Sequence, residues 1–318
     1  MENNKAKIIK KFQKGISLKK YTTFLIGGPA RYFYLAKTKA DFIEAIKSAK
    51  ELQLPFFILG GGSNLLVSDK GFLGLVIKTL FLKFSIQRDE IYAESGIPLS
   101  LIVQKVKGKK LGNLGHLAGI PGTLGGAIYG NAGTKKLSMK NIIERVEVFD
   151  LKGNKLKIFR NKDCHFTYRE SIFKKKKNLI ILSAVLKLKK EKSNKIEKDF
   201  KKHLNYRKNT QPLNLPSAGS IFKSYQGKIL KKNLLKEFPE LKEFNKNKMI
   251  PAGYLIEKCN LKGKKSGGAR ISEKHANFIV NLGKAKAKDV VFLIKLIKNK
   301  VKKKFGIELE TEIQFLGF

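Results

Sequence analysis

The spacing of apolar residues predicts alternating strands and helices along the first half of the chain. Residues 31–36, "RYFYLA", predict a strand, and apolar residues then recur at helical spacing between Phe42 and Ala49. Residues 55–60, "PFFILG", predict a short buried strand that runs into a glycine-rich turn. A strand, a helix and a strand within about 30 residues are typical of a βαβ unit.

The same patterns predict a mixture of strands and helices in the rest of the chain. Short alternating strands begin at Phe84, and a polar helix over residues 190–209 indicates the passage into another domain. Further predicted elements are a strand pair within 60–78, a helix over 98–111, strands over 145–150, 155–160, 178–190 and 276–281, an amphipathic stretch over 232–244, a helix over 287–306, and a final strand over 308–318.

The length and composition indicate a folded protein of more than one domain. A chain of 318 residues is long enough for two or three domains of about 100–200 residues each. Apolar residues make up 42% of the chain, which is enough to build hydrophobic cores. The N-terminal stretch has no apolar signal core, and no apolar run reaches the roughly 18 residues of a membrane span. We therefore expect a soluble, cytoplasmic protein with no membrane partner.

The two cysteines, Cys164 and Cys259, are too few for a disulfide framework or a four-ligand zinc site. The four histidines are scattered, and no pair has the spacing of metal ligands. We expect no bound metal.

The net charge of +42 suggests a nucleic-acid partner, but the type of basic residue argues against it. Only seven of the 67 basic residues are arginine, the residue that grips phosphates and bases with a planar fork. The lysines are also spread along the chain. The composition therefore favours a solvated, lysine-rich surface over a nucleic-acid-binding face.

Two stretches concentrate glycine in this otherwise lysine-rich chain. They are "LGGGSNLLVSD" over residues 59–69 and "AGIPGTLGGAIYGNAG" over 118–133. Glycine allows a ligand to approach the main chain, and successive free N–H groups bind phosphates, so the two stretches predict a double cradle for a pyrophosphate. The alternative is two tight loops that only turn the chain. Neither the P-loop nor the Rossmann glycine motif is present, which excludes a P-loop kinase and a Rossmann domain.

Three further segments contain residues that could react. Arg169 in "TYRESIF" could bind a carboxylate, or form a surface ion pair with Glu170. Ser220 in "LPSAGSIFK" follows a glycine and could simply cap a turn. Glu310 and Glu312 would share one face of the final strand, where they could also serve as surface charges among lysines.

Eight segments in one order over residues 20–318 resemble the UDP-N-acetylenolpyruvoylglucosamine reductase family (MurB type), in its shorter subtype. The segments are "TTFLIGGPARYF", "LGGGSNLLVSDKGF", "AGIPGTLGGAIYGNAG", "YRESIF", "RKNTQPLNLPSAGSIFK", "AGYLIEKCNLKG", "GGARISEKHANFIVN" and "GIELETEIQFLG".

The resemblance implies an α+β fold with two domains. Residues 1–190 would form an FAD-binding domain of the vanillyl-alcohol-oxidase (PCMH) type, with α+β subdomains over about 20–80 and 81–190. Residues 191–318 would form a C-terminal α+β domain that binds the UDP-sugar. The glycine stretches would be the walls of the FAD cleft, with cofactor contacts from Gly60, Gly61, Gly62, Ser63, Asn64, Gly119, Ile120, Pro121, Gly122, Thr123, Gly125 and Gly126.

The resemblance also implies the reaction. NADPH would reduce a non-covalently bound FAD, which would then reduce UDP-N-acetylglucosamine enolpyruvate to UDP-N-acetylmuramate, a precursor of cell-wall peptidoglycan. Arg169 would stabilise the enolate that forms, Glu312 would assist it, and Ser220 would give the carbon its proton. A hydroxyl group is a weak acid, so Ser220 can act only on a strongly basic carbanion.

The sequence departs from the family where the substrate diphosphate would bind. Ser224 occupies a position that is usually asparagine or arginine, and the segment 225–249 is longer than usual. Lys223, Arg207 and Lys208 could offset the lost contacts. The expected partners are small molecules, and the oligomeric state is left open, with a monomer as one option.

Two alternatives remain at this stage. An alcohol oxidase of the same fold would keep the glycine stretches, but not "GSIFK" together with the "LETE" ending. A basic nucleic-acid-binding protein would bind its partner in a salt-sensitive way and would carry no flavin.

Overall fold

The computed structural model describes residues 9–106, 108–134 and 137–318, and its mixed helices and strands confirm the predicted α+β class. The first eight residues, Lys107 and residues 135–136, all assigned to the first predicted domain, lie outside the described residues. The chain divides into two compact units. Unit 1 comprises the described residues up to Ile16, Ala30–Gly61 and Leu73–Arg207, and unit 2 comprises Ser17–Pro29, Gly62–Phe72 and Lys208–Phe318.

The first sheet of unit 1 contains the predicted βαβ unit. Its strands are β1 (Gln13–Ser17), β2 (Pro29–Ala36), β3 (Phe56–Leu59) and β5 (Phe72–Thr79), in the order β1-β2-β5-β3. Helix α1 (Lys39–Glu51) begins at a capping box made by Thr38 and Asp41, and buries the predicted apolar face that includes Phe42 and Ile46. Strand β5 lies between β2 and β3 and runs parallel to β3.

The second sheet of unit 1 is antiparallel, in the order β10-β9-β11-β7-β6. Its strands are β6 (Phe84–Gln87), β7 (Glu90–Glu94), β9 (Ile143–Asp150), β10 (Lys155–Arg160) and β11 (Leu179–Lys187). The remaining elements of unit 1 are helices α2 (Leu99–Val106), α3 (Leu124–Tyr129), α4 (Ile172–Lys175) and α5 (Ser193–Thr210), and the pair β8 (Leu111–Gly112) and β12 (Lys189–Lys190).

Unit 2 is built around the long helix α9 (Ala287–Phe305). Val290, Leu293, Ile297 and Val301 repeat at helical spacing and are fully buried. The other elements are β4 (Leu65–Val67), β13 (Ser217–Ser220), β14 (Tyr225–Gln226), α6 (Lys232–Glu237), α7 (Leu241–Lys246), β15 (Met249–Ile250), α8 (Ala252–Glu257), β16 (Lys265–Ser266), β17 (Ala269–Ile271), β18 (Phe278–Asn281) and β19 (Gln314–Leu316). The main sheet has the order β13-β18-β17-β16.

The compact units have different limits from the predicted domains 1–190 and 191–318. Helix α5 belongs to unit 1 as far as Arg207 because Ile196 and Phe200 are buried in that unit's core. Two early segments belong to unit 2 because of long-range hydrogen bonds. Strand β4 pairs in parallel with β19, and the Thr23 hydroxyl donates to the carbonyl of Ser217 at 2.7 Å.

The C-terminal segment is less regular than the predicted strand over residues 308–318. Only β19 is a strand, and Thr311 forms a single bridge with Phe222. Glu310 and Glu312 therefore do not lie on one continuous strand.

Within the described ranges, no helix is long and apolar enough to cross a membrane. Those ranges also hold no group of three or more His, Cys, Asp or Glu side chains that could bind a metal ion.

Candidate functional site

The two glycine-rich stretches touch each other through their backbones in unit 1. A Cβ atom at Gly60 would lie 2.6 Å from Oγ1 of Thr123, and one at Gly61 would lie 2.6 Å from Cα of Gly122. Any side chain at these glycines would push the two stretches apart. The glycines are therefore required for this close approach.

The same backbones present unused hydrogen-bond donors. Among the residues that the structure describes, the N–H groups of Gly61, Gly119 and Gly122 have no acceptor within the protein. Gly126 is exposed, and only Oγ1 of Thr123, at 3.7 Å, lies near the position of its missing side chain. Free N–H groups on a glycine loop suit the oxygens of a diphosphate, so the residues present fit the FAD that the sequence implies.

Arg207, predicted to contact the substrate, packs against the second glycine stretch. Its Nε donates to the carbonyl of Ala118 at 2.9 Å, and its Cδ lies 3.0 Å from where a Cβ of Gly119 would be. Burial lowers the pKa of Arg207, and the positive charge of Arg169 lowers it further. A bound anion near Arg207 would offset both effects.

Lys78 on β5 lies behind the first glycine stretch, and sequence reasoning missed it. Its ammonium group donates to the carbonyl oxygen of Gly60, and burial lowers its pKa. The sequence feature that could have indicated this lysine is its position at the end of the apolar run "FLGLVIK".

Arg169 sits in a tight turn of unit 1. Thr167 and Glu170 exchange backbone hydrogen bonds of 3.1 and 3.2 Å, and Arg169 between them has a φ of +56°. A left-handed backbone is costly for arginine and is found more often at functional sites. The guanidinium carbon lies 5.4 Å from the centre of the Tyr168 ring. Glu170, the predicted alternative partner of Arg169, has Lys174 at 4.0 Å.

Hydrogen bonds attach the turn of Arg169 to the second glycine stretch. Nδ2 of Asn131 donates to the carbonyl of Thr167 at 2.8 Å, and the fully buried hydroxyl of Ser171 donates to the carbonyl of Tyr129 at 2.7 Å. The predicted cofactor wall and the predicted enolate-stabilising arginine thus form one hydrogen-bonded body. In the sequence, the Asn in "GNAG" and the Ser in "YRES" are the residues that could have indicated these hydrogen bonds.

Ser220 and Glu312 come from two adjacent backbone segments of unit 2. The N–H of Glu312 donates to the carbonyl of Ile221 at 2.8 Å, and the bridge between Phe222 and Thr311 follows. Both Ser220 and Glu312 are half-buried. The structure thus brings these two predicted residues into one local arrangement.

Asn277 holds the segment that follows Ser220, and the sequence analysis did not single it out. Its side chain accepts the N–H of Phe222 at 2.9 Å and donates to the carbonyl of Phe222 at 2.8 Å. Its own carbonyl accepts the N–H of Ile221 at 2.8 Å. Asn277 is only 6% exposed, so these hydrogen bonds are shielded from water.

Asn64, a predicted cofactor contact, holds the segment of Glu312 from the other side. Its Nδ2 donates to the carbonyl of Glu312 at 3.1 Å, and its own carbonyl accepts the N–H of Gln314 at 2.9 Å. Gly62 has a φ of +63°, and a Cβ there would lie 2.0 Å from the carbonyl oxygen of Tyr21. The first glycine stretch therefore continues in unit 2 as a closely packed turn.

The other predicted site residues differ in their contacts and in their exposure to solvent. Lys223 forms an ion pair with Glu310 at 2.5 Å, and the carbonyl of exposed Lys208 accepts the ammonium of Lys274 at 2.6 Å. Gly125 packs against Ser95, to whose carbonyl its N–H donates at 2.9 Å. Ser63, Ile120 and Ser224 are half-buried, and Pro121 is exposed.

Comparison with known proteins assigns both parts of the chain. Residues 211–316 match the family profile "UDP-N-acetylenolpyruvoylglucosamine reductase, C-terminal domain", and residues 30–158 match the profile "FAD binding domain". Ser220 and Glu312 lie inside the first match, Gly60 and Gly122 lie inside the second, and Arg169 lies between them.

Curated relatives carry the name UDP-N-acetylenolpyruvoylglucosamine reductase. The relative from Caldicellulosiruptor bescii is 42% identical over 96% of this chain and 91% of its own length. The relative from Caldanaerobacter subterraneus is 40% identical over 94% of this chain and 92% of its own length.

A solved structure has a similar fold. The UDP-N-acetylenolpyruvylglucosamine reductase from Thermus caldophilus superposes with a TM-score of 0.76 at 31% identity, covering 96% of this chain and 99% of its own. Together with the two profile matches, this similarity confirms the predicted fold class, an FAD-binding domain of the PCMH type followed by a C-terminal α+β domain.

Proposed function

This chain belongs to the UDP-N-acetylenolpyruvoylglucosamine reductase family, and we propose that it reduces UDP-N-acetylglucosamine enolpyruvate to UDP-N-acetylmuramate for peptidoglycan synthesis. The family named from eight sequence motifs is thereby confirmed. The observation that carries the proposal is the 42% identity along 96% of the chain, which includes both profile matches.

The residues that would hold FAD are those of the two glycine stretches. The free N–H groups of Gly61, Gly119 and Gly122 would donate to its diphosphate, and the missing side chains would let it lie against the backbone. FAD, when bound, would accept a hydride from NADPH and pass it to the terminal carbon of the enolpyruvyl double bond. No covalent link to the protein is required for this chemistry.

Arg169 and Glu312 would stabilise the enolate that the substrate becomes. Negative charge develops on the substrate carboxylate, which a guanidinium group can bind through two parallel hydrogen bonds. The left-handed turn supports this role, and so do the hydrogen bonds that Asn131 and Ser171 donate. Together they fix the position of the Arg169 backbone, from which the side chain extends. Glu312 would assist this stabilisation from the segment that pairs with the residues after Ser220.

Ser220 would complete the reaction by giving a proton to the carbon next to the substrate carboxylate. Its position at the end of β13 supports this role, because Asn277 holds the following residues in place. General acid assistance of this kind accelerates reactions by about 10²–10⁴-fold.

Lys223, Arg207 and Lys208 would supply positive charge near the substrate diphosphate. The ion pair of Lys223 with Glu310 restricts this contribution, since it already neutralises the ammonium group. We also propose a cytoplasmic location, because both substrates are nucleotide derivatives of the cell interior, and recovery of the protein in a membrane fraction would contradict this.

An anaerobic absorbance trace of the wild-type protein tests the function. We expect a yellow protein whose flavin absorbance bleaches with NADPH and returns only when the enolpyruvyl UDP-sugar is added, with a product heavier by two hydrogen atoms. A protein that binds no flavin when FAD is supplied would contradict the proposal. Bleaching by an alcohol in place of NADPH would support an oxidase instead.

A further inference from the structure

Lys78 reaches the turn that follows β3 because of the register of two strands. On β5 it pairs with Leu59, the last residue of β3, so its side chain lies beside Gly60. The two residues before it on β5, Val76 and Ile77, are fully buried. An ammonium group at the end of such a strand is costly to desolvate.

The charge of Lys78 is not balanced by an acid. Lys78 is half-buried and its ammonium group donates to the carbonyl of Gly60, and no carboxylate in the described part of the chain lies within ion-pair distance. Burial lowers the pKa of Lys78, and no attraction from a neighbouring charge opposes that effect. A partly buried cation without a counter-ion gains less from folding than a paired one, and a ligand can supply the missing negative charge.

The hydrogen bond of Lys78 orients one particular peptide group. The carbonyl of Gly60 and the N–H of Gly61 belong to the same planar trans peptide and point in opposite directions. Lys78 binds the carbonyl side, and the N–H side is one of the donors without an acceptor in the described chain. A cation on the carbonyl also polarises the peptide and makes its N–H a stronger donor.

We propose that Lys78 is a positioning residue for the FAD diphosphate: it orients the peptide between Gly60 and Gly61 so that the Gly61 N–H donates to a diphosphate oxygen, and it supplies positive charge behind that donor. This inference rests on the proposed function, because it requires that the chain bind FAD. Nothing in the motifs that define the family resemblance includes Lys78.

The test compares three variants of the full-length protein. Lys78→Met removes the charge and keeps an apolar stem, Lys78→Arg keeps the charge, and Lys155→Met removes a lysine from an exposed position of β10. We expect Lys78→Met to weaken FAD binding about 10- to 100-fold, the loss typical of one charge-assisted hydrogen bond. Lys155→Met should bind FAD as the wild type does, and Lys78→Arg should retain most of the affinity.

A second measurement separates this role from a structural one. Without FAD, Lys78→Met should unfold within a few degrees of the wild type, since removing a cation without a counter-ion opposes the loss of the hydrogen bond to the Gly60 carbonyl. With saturating FAD, it should unfold at a lower temperature than the wild type. Its FAD dissociation constant should also depend less on salt.

Three outcomes would overturn the inference. An unchanged dissociation constant for FAD in Lys78→Met would show that the lysine does not act on the cofactor. An equal decrease in the unfolding temperature of Lys78→Met with and without FAD would show that Lys78 stabilises the fold and does not position the cofactor. A wild-type protein that binds no FAD would refute the proposed function itself, and with it this inference.

Discussion

Asn277 shows how the site depends on side chains that hold the backbone. Its amide bonds both the N–H and the carbonyl of Phe222, two residues after the proposed proton donor Ser220. The partners are 55 residues apart in the sequence, so Asn277 connects β18 to the segment that leaves β13. Its loss would free Ser220 to move relative to the segment of Glu312.

We predict that Asn277→Ala lowers the free energy of unfolding by about 2–4 kcal/mol, because two buried backbone groups lose their partners. Chemical denaturation measures this loss. In a stopped-flow experiment, reduction of the flavin by NADPH should keep its rate, and reoxidation by the UDP-sugar should slow.

The control for this prediction is Asn233→Ala at an exposed position of α6, which should change stability by less than about 0.5 kcal/mol. An Asn277→Ala protein with wild-type stability and wild-type reoxidation would disprove the positioning role of Asn277.

At the scale of elements, one carboxylate reinforces the antiparallel hairpin of β9 and β10. The side chain of Asp150 accepts from Lys157 at 2.6 Å, from Asn178 at 2.8 Å and from the N–H of Lys152 at 3.1 Å. The hydrogen bond from Lys157, followed by that from Asn178, holds the pKa of Asp150 well below its usual value. The ionised form therefore stabilises the folded state.

We predict a pH-dependent effect of Asp150→Asn on stability. A carboxyl group whose pKa is lower in the folded state stabilises the protein above its ordinary pKa of about 4, and this contribution is lost as the pH falls below that value. Asp150→Asn should therefore unfold at lower denaturant concentration than the wild type at pH 7. The difference should narrow steadily between pH 4 and pH 2.

Glu144→Gln is the matched control, since it removes one charge from an exposed position of the same strand. It should change stability little at any pH. A difference between Asp150→Asn and the wild type that stays constant down to pH 2 would disprove the account of this hairpin.

At the scale of the whole molecule, the surface carries a large positive charge. The net charge is +42, whereas both substrates and the cofactor are anions. A positive field over the surface attracts anions and raises their association rates, and salt screens this attraction.

We predict that the apparent second-order rate constant for NADPH falls steeply as salt rises from about 0.01 to 0.3 M, over which the Debye length shortens. Steady-state kinetics at low NADPH concentration measures it. Reoxidation of the reduced enzyme by dioxygen, an uncharged oxidant, is the control and should change little. A flat response to salt would mean that the lysines serve only solubility.

The sequence was informative about structure wherever the interactions were local. The spacing in α9 predicted a buried face, because that property depends on residues close in the chain. The glycines at 60–61 and 122 predicted bare backbone for the same reason, whereas the contact between the two stretches joins residues about 60 positions apart. Pairing of β4 with β19 joins segments about 250 residues apart, and no local pattern indicates it. The final strand was predicted too long because its pairing also depends on segments that are distant in the sequence.

The residues that support the site were missed because their partners are set by tertiary structure. Lys78 meets Gly60 only through the register of β5 against β3, and Asn277 meets Phe222 only after β18 packs beside β13. Arg169, Ser220 and Glu312 were found because each lies within a family motif. Their roles stay predictions until they are tested.

The most direct test of this account is stopped-flow absorbance of Ser220→Ala under anaerobic conditions, with Ser217→Ala on the same strand as its control. The account predicts that NADPH bleaches the flavin of Ser220→Ala at the wild-type rate. The enolpyruvyl UDP-sugar should then restore the absorbance at least about 100-fold more slowly than in the wild type or in Ser217→Ala. Full recovery at the wild-type rate would contradict the assignment of Ser220 as the proton donor.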